Sequence, residues 1–125
     1  MKDGFIKICS VTPEIRVADC MFNAESIINE IEKAAANGAK LAVFPELCVT
    51  GYTCGDLFLQ KALLDSSEAA VEKIVEATSG TEMAVVVGAP VVVGTKLYNC
   101  GIVIYNGEIL GIVPKSNVPN YSEFY

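Results

Sequence analysis

A chain of 125 residues with 52% hydrophobic content can bury one sizeable core, but it is too short for two ordinary domains. Its formal net charge of -6, from 9 Lys and Arg against 15 Asp and Glu, excludes the basic stripe that nucleic acid or an anionic membrane surface requires. No apolar run approaches the roughly 18 residues of a membrane span. The start, Met1-Lys2-Asp3-Gly4, lacks a signal-peptide core, so the expected location is the cytosol.

In chain order, Phe5-Ile6-Lys7-Ile8-Cys9 begins with the alternation of a strand. From Asp19 to Asn37, Phe22, Ile27, Ile28, Ile31, Ala34 and Ala35 fall along one helical stripe, and Asn37-Gly38 supplies a left-handed stop. Leu41 to Phe44 is apolar without alternation, which predicts a strand buried on both faces of a parallel sheet. Strand, helix and strand then form a right-handed crossover. A second helix is predicted from an N-cap at Ser66 or Ser67 through Val71, Ile74, Val75 and Thr78, ending before Gly80.

Met83 to Val87 is again all apolar, and Gly88-Ala89-Pro90 is expected to break or bend the strand before Val91-Val92-Val93. Two strand-like runs between Tyr98 and Val113 are joined by Asn106-Gly107, a pair at ease with positive φ, which predicts a hairpin on a type I′ turn. Gly88 and Gly94 precede Thr95-Lys96, but the spacing is not that of a phosphate-binding loop and no helix pattern follows. The expected architecture is α/β, a mixed sheet with helices on at least one face. No internal repeat, low-complexity tract or linker interrupts it.

Cys9, Cys20, Cys48, Cys54 and Cys100 are odd in number and contain no CxxC pair, so they read as reduced thiols with no metal clamp. Cys9 and Cys100 sit inside strand patterns and read as small buried hydrophobes. The chain has no histidine, which removes Ser-His-Asp and Cys-His relays and most zinc sites from what these residues can build alone.

Two charged residues stand out by position. Glu46 follows Pro45 at the end of the run Leu41 to Phe44, and Lys115 follows Pro114 at the end of Ile109 to Val113. In open α/β sheets, ligands collect outside the carboxyl ends of strands, where loops vary freely above rigid roots. An acid and a base in equivalent positions are therefore expected at one sheet edge, sharing a pocket.

The segments FPELCVTGYTCGDLF, residues 44 to 58, and PKSNVPNYSEFY, residues 114 to 125, resemble the glutamate and lysine motifs of the nitrilase superfamily of carbon-nitrogen hydrolases. Within it, Gly55-Asp56-Leu57-Phe58 and the ending Pro119 to Tyr125 are most similar to the glutaminase domain of glutamine-dependent NAD synthetases. The resemblance implies part of an αββα sandwich, with residues 1–125 as the N-terminal portion of the hydrolase domain. It also implies a Glu-Lys-Cys triad that hydrolyses the glutamine amide through a thioester. Glu46 matches the general base and Lys115 the cation that holds the tetrahedral oxyanion, while Tyr52, Tyr121 and Phe124 fall in segments that line the substrate pocket. An aromatic near a strand end also packs against the core more often than it touches a ligand.

The family order is Glu, Lys, Cys, so neither Cys48 nor Cys54, both before Lys115, matches the nucleophile. It is expected in a missing C-terminal half of the domain, and residues 1–125 alone are expected to be inactive. No metal and no cofactor are expected in this segment. ATP and magnesium belong, on the same resemblance, to a separate synthetase domain that receives the ammonia and amidates deamido-NAD. The expected partners are glutamine, that C-terminal half, the synthetase domain and further copies of the chain in a homo-oligomer, through sheet surface left uncovered after Tyr125.

Three other readings stay open on the sequence. The chain could be a binding module that keeps the pocket without chemistry, or an interaction domain in which Glu46 and Lys115 are solvated surface charges. Within the superfamily it could serve a stand-alone amidase such as a nitrilase, carbamoylase or ω-amidase.

Overall fold

In the computed structural model, which describes residues 4–115, five strands form one mixed sheet in the order β1-β2-β3-β4-β5. The strands are β1 (Ile8–Ser10), β2 (Leu41–Val43), β3 (Ala84–Val93), β4 (Lys96–Tyr105) and β5 (Glu108–Pro114), and the helices are α1 (Cys20–Ala36) and α2 (Lys61–Ala77). Pairs β1–β2 and β2–β3 are parallel, while β3–β4 and β4–β5 are antiparallel. Because both parallel crossovers step the same way across the sheet, right-handed connections place both helices on one face. There they pack against each other, and Ile27, Ile31, Ala70 and Ile74 share one core with Ala42, Val85, Val87, Ile102 and Ile104.

Most elements follow the sequence. Helix α1 is capped at its start by the Asp19 carboxylate, which accepts from Phe22 N–H, and it ends at Asn37 before Gly38 with φ +80°. Asn106 and Gly107 both have positive φ, 47° and 79°, as a type I′ hairpin requires. The turn is tied to the end of α2, since Gly80 N–H donates to Asn106 Oδ1 and Gly107 N–H to Thr78 Oγ1.

Five expectations change. Helix α2 starts at Lys61, not at Ser66 or Ser67, because Lys61-Ala62-Leu63-Leu64 are strong helix formers and Ser67 fills a small buried position between Leu63 and Ala70. A short 3₁₀ turn over Gly55–Leu59, absent from the sequence reading, leads into it. Strand β1 is shorter than predicted and leaves Phe5 exposed. Strand β2 is not buried on both faces: Ala42 is covered by the helices, while Val43 points to the bare face.

The predicted break at Gly88-Ala89-Pro90 does not occur, and β3 runs unbroken from Ala84 to Val93. Pairing with β2 ends at Val86, and beyond it no strand among the described residues pairs with β3 on that side. Gly88 bonds toward the side that β2 has vacated, and Pro90, two residues on, turns its missing N–H the same way, where no ladder bond is lost.

Among the described residues, the sheet face opposite the helices leaves apolar side chains exposed, including Ile8, 57% exposed, Val43 and Val113, 60% exposed. Such a surface binds other apolar surface in water. The isolated 125-residue chain is expected to self-associate in light scattering and to bind a dye specific for exposed apolar surface. A monodisperse, dye-silent monomer with cooperative unfolding contradicts this.

Candidate active site

The loop after β2 is where backbone, glycine and cysteine chemistry converge. Phe44 N–H still donates to Val86 O at 2.9 Å, and the chain then folds back over Gly88, with Val49 N–H donating to Gly88 O at 3.1 Å and Gly88 N–H to Cys48 Sγ at 3.4 Å. Only glycine permits this approach, because a Cβ at position 88 would lie 2.4 Å from Leu47 N and 2.8 Å from Pro45 O. Leu47, fully buried, adopts φ 53°, a left-handed conformation that disfavours a non-glycine residue by about 1 kcal/mol. It sits immediately after Glu46, as strained residues do at sites that fix a side chain.

From the other side, the fully buried Asn23 of α1 donates to Val49 O at 2.9 Å and to Arg16 O at 2.8 Å, and accepts from Arg16 N–H at 2.7 Å. One side chain thus fastens the Glu46 loop to the β1–α1 connection.

This scaffold brings Glu46 to Lys115. Lys115 Nζ donates to Glu46 Oε1 at 2.9 Å, across 69 residues of sequence. Asn99 Nδ2 donates to the same Oε1, while Asn99 O accepts Lys115 N–H at 2.8 Å. Strand pairing sets the faces: Cys100 opposes Pro114, so Asn99 and Lys115 both project to the face away from the helices. The three residues border a cavity of about 280 Å³, whose walls include Phe44, Gly88 and Val113. Glu46 and Lys115 keep 38% and 36% of their side-chain surface in water, whereas Asn99 is 5% exposed. The pair is therefore adjacent, as expected, yet half-solvated.

Tyr52 lies on the turn that follows, 37% exposed, and is not among the residues lining this cavity. Tyr121 and Phe124 lie outside the described residues. Asn99 was not singled out from the sequence, and Gly88 was read there only as a bend or turn residue, not as part of the site. The signals were present: an asparagine is out of place inside the strand run from Leu97 to Tyr105, and a glycine within a strand marks a close backbone approach.

The thiols near the site are quiet. Burial pushes Cys48 up to about 11 from its ordinary 9.0, with hydrogen bonds from the Gly88 and Cys48 backbone opposing the rise. Burial also raises Cys54, whose Sγ donates to Thr50 O, and Cys100, whose place in β4 next to Asn99 turns it to the helix face. The folded chain holds the Cys48 proton to higher pH than the unfolded chain does. The stability this contributes is complete below pH 9 and is lost as pH rises toward about 11. The unfolding free energy from urea titration is expected to fall across that window, by up to about 1.4 kcal/mol per pH unit for this thiol and with it the midpoint, and Cys48→Ala should flatten the fall. A midpoint that is constant or rising over the window contradicts this burial.

Residues 7–124 match the sequence profile described as carbon-nitrogen hydrolase. The chain belongs to the carbon-nitrogen hydrolase family, and its five-stranded mixed sheet with two helices is that of nitrilase-type proteins. Among individual proteins it is similar to the glutamine-dependent NAD(+) synthetase of Mycobacterium tuberculosis (strain ATCC 25618 / H37Rv), at 39% identity over 122 residues, covering 98% of this chain and 18% of the relative. It is likewise similar to that of Xylella fastidiosa (strain Temecula1 / ATCC 700964), at 36% identity over 121 residues, covering 96% and 22%. The crystal structure of a glutamine-dependent NAD(+) synthetase from Cytophaga hutchinsonii superposes with a TM-score of 0.86 at 28% identity, covering 92% of this chain and 20% of that one. An amidase from Nesterenkonia sp. superposes with a TM-score of 0.78 at 20% identity over 98% of this chain and 47% of its own, a likeness of fold. The chain thus spans about a fifth of the length of the curated relatives it matches.

Proposed function

We propose that this chain carries the general base and the cationic group of a glutamine-hydrolysing site, Glu46 and Lys115, which supplies ammonia for NAD synthesis in a longer protein. One observation carries the reading: Glu46 Oε1 accepts at once from Lys115 Nζ and from the buried amide of Asn99, at the mouth of a cavity. Two solvated surface charges would satisfy each other without a buried third partner. The kinship with glutamine-dependent NAD synthetases supports glutamine as the substrate.

The chemistry explains the pairing. A carboxylate near its reference pKa of about 4.3 taking a proton from a thiol near about 8.5 faces a gap of roughly 6 kcal/mol. A nearby ammonium narrows the gap by favouring the thiolate. Glu46 takes the thiol proton as sulfur attacks the amide carbon, and the Lys115 ammonium stabilises the oxyanion that forms. Protonated Glu46 then gives its proton to the leaving nitrogen, releasing ammonia and leaving a thioester. Water, deprotonated by Glu46, hydrolyses the thioester to glutamate and frees the thiol.

Burial of Cys48, Cys54 and Cys100 supports a nucleophile drawn from chain beyond Lys115, in a C-terminal half of the domain, so that residues 1–125 alone are inactive. Among the described residues no three His, Cys, Asp or Glu side chains form a cation site, and no helix is long and apolar enough to cross a membrane. We assign ATP and magnesium to a separate synthetase domain, the setting to the cytosol, and Tyr121 and Phe124 to the substrate side of the pocket, with Tyr52 reaching substrate, if at all, from outside the cavity described above. We also assign association of copies to the intact protein.

The test is ammonia release from glutamine by the intact protein that contains this chain, with Glu46→Gln and Lys115→Ala as the informative variants. Loss in both supports the assignment, and full activity in either refutes it.

A further inference from the structure

Resting on the glutaminase reading above, we infer that Asn99 is a positioning residue that holds both charged groups of the site through one rigid point. Its backbone carbonyl takes Lys115 N–H at 2.8 Å, which fixes where the lysine leaves β5, and its side-chain amide donates to Glu46 Oε1, which fixes where the carboxylate points. No other residue among those described bonds to both. Asn99 is suited to this by its own immobility: it is 5% exposed and sits in β4, the strand paired at nine positions with β3 and at six with β5.

The register supplies the reason for an asparagine here. Asn99 opposes Pro90, which lacks an N–H, and at this pair β4 turns its own backbone groups away from β3, leaving its carbonyl free for Lys115. The side chain meanwhile reaches across β3 beside Pro90 to the loop that Gly88 admits. The groups it faces there are Glu46, from the loop after β2, and Lys115, after β5. A neutral amide donates to the carboxylate without titrating and without adding a second cation to compete with the lysine. Asn99 and Lys115 both donate to Oε1, so the clamp engages one of the two carboxylate oxygens.

Two variants of the intact protein test this. Asn99→Ala removes the donor, and Asn99→Asp keeps the shape and the backbone contacts while replacing the donor with an acceptor. Both are expected to lower kcat for glutamine hydrolysis by about 100-fold, the loss that small misplacement of a reacting group produces, while the KM for glutamine stays within about threefold. The loss should fall on kcat and not on KM, and it should be larger for Asn99→Asp, which sets an acceptor against the Glu46 carboxylate. Synthesis driven by free ammonia should not change.

Wild-type kcat in Asn99→Asp overturns the clamp, as does a loss that appears only as a raised KM or only as lowered thermal stability. If Glu46→Gln also keeps full glutamine activity, the glutaminase reading falls and the clamp falls with it. If Glu46→Gln is inactive while the Asn99 variants are normal, the clamp alone falls.

Discussion

Glu46→Gln in the intact protein is expected to lower glutamine-driven turnover by about 10³- to 10⁴-fold while leaving ammonia-driven synthesis unchanged. Glutamine at position 46 has nearly the shape of glutamate and still offers Oε1 to Lys115 and Asn99, so the fold of the loop is retained. What it lacks is the ability to take a proton. In the proposed cycle that loss falls on thiol activation, on protonation of the leaving nitrogen and on activation of water, and general acid–base catalysis alone accounts for about 10² to 10⁴. Lys115→Ala is expected to lose about 10²- to 10³-fold, the range for removing a single oxyanion donor. Steady-state rates with glutamine and with ammonium chloride, measured side by side, check both. An equal loss with the two nitrogen sources would place the damage outside the glutaminase site.

The second large effect lies in a residue with no functional group. Gly88→Ala puts a carbon 2.4 Å from Leu47 N and 2.8 Å from Pro45 O, both backbone atoms of the Glu46 loop. Neither can rotate away, and Asn23 holds the loop from behind through Val49 O. Overpacking of this kind disfavours the fold by roughly 3 kcal/mol, which for a domain of this size lowers Tm by about 10 °C. The loop is expected to yield by lifting from β3, carrying Glu46 away from Asn99 and Lys115, so glutamine turnover should fall even at temperatures where the protein stays folded. Gly111→Ala on β5 is the control, since a Cβ there meets nothing within 4 Å. Calorimetry and glutamine kinetics on the two variants decide the point, and a Gly88→Ala protein as stable and active as Gly111→Ala contradicts the packing described.

The sequence made legible what local chemistry controls. The stripe from Ile27 to Ala35, the Asn37-Gly38 stop and the Asn106-Gly107 turn each specify their geometry within a few residues. What it hid depends on where another element stops. Pro90 looks like a strand breaker until β2 is seen to end opposite Val86, at which point the missing N–H has nothing to bond. The start of α2 was misplaced because serines read as caps, whereas Ser67 is a small residue in a buried helix stripe. The site was legible as two charges beside prolines in family-like motifs. Asn99 was not, because its role arises from register: only the pairing of β4 with β5 places its carbonyl at Lys115 and its side chain at Glu46.

The central claim is that Glu46 and Lys115 act as one unit in amide hydrolysis, and a double-mutant cycle on kcat/KM for glutamine tests it most directly. Groups that serve the same step are strongly non-additive: once one is gone, removing the other changes little. Glu46→Gln/Lys115→Ala is therefore expected to be no more than about tenfold worse than the poorer single variant. A double variant whose loss is the product of the two single losses, or single variants with wild-type kcat/KM, would show two independent charges and contradict the account.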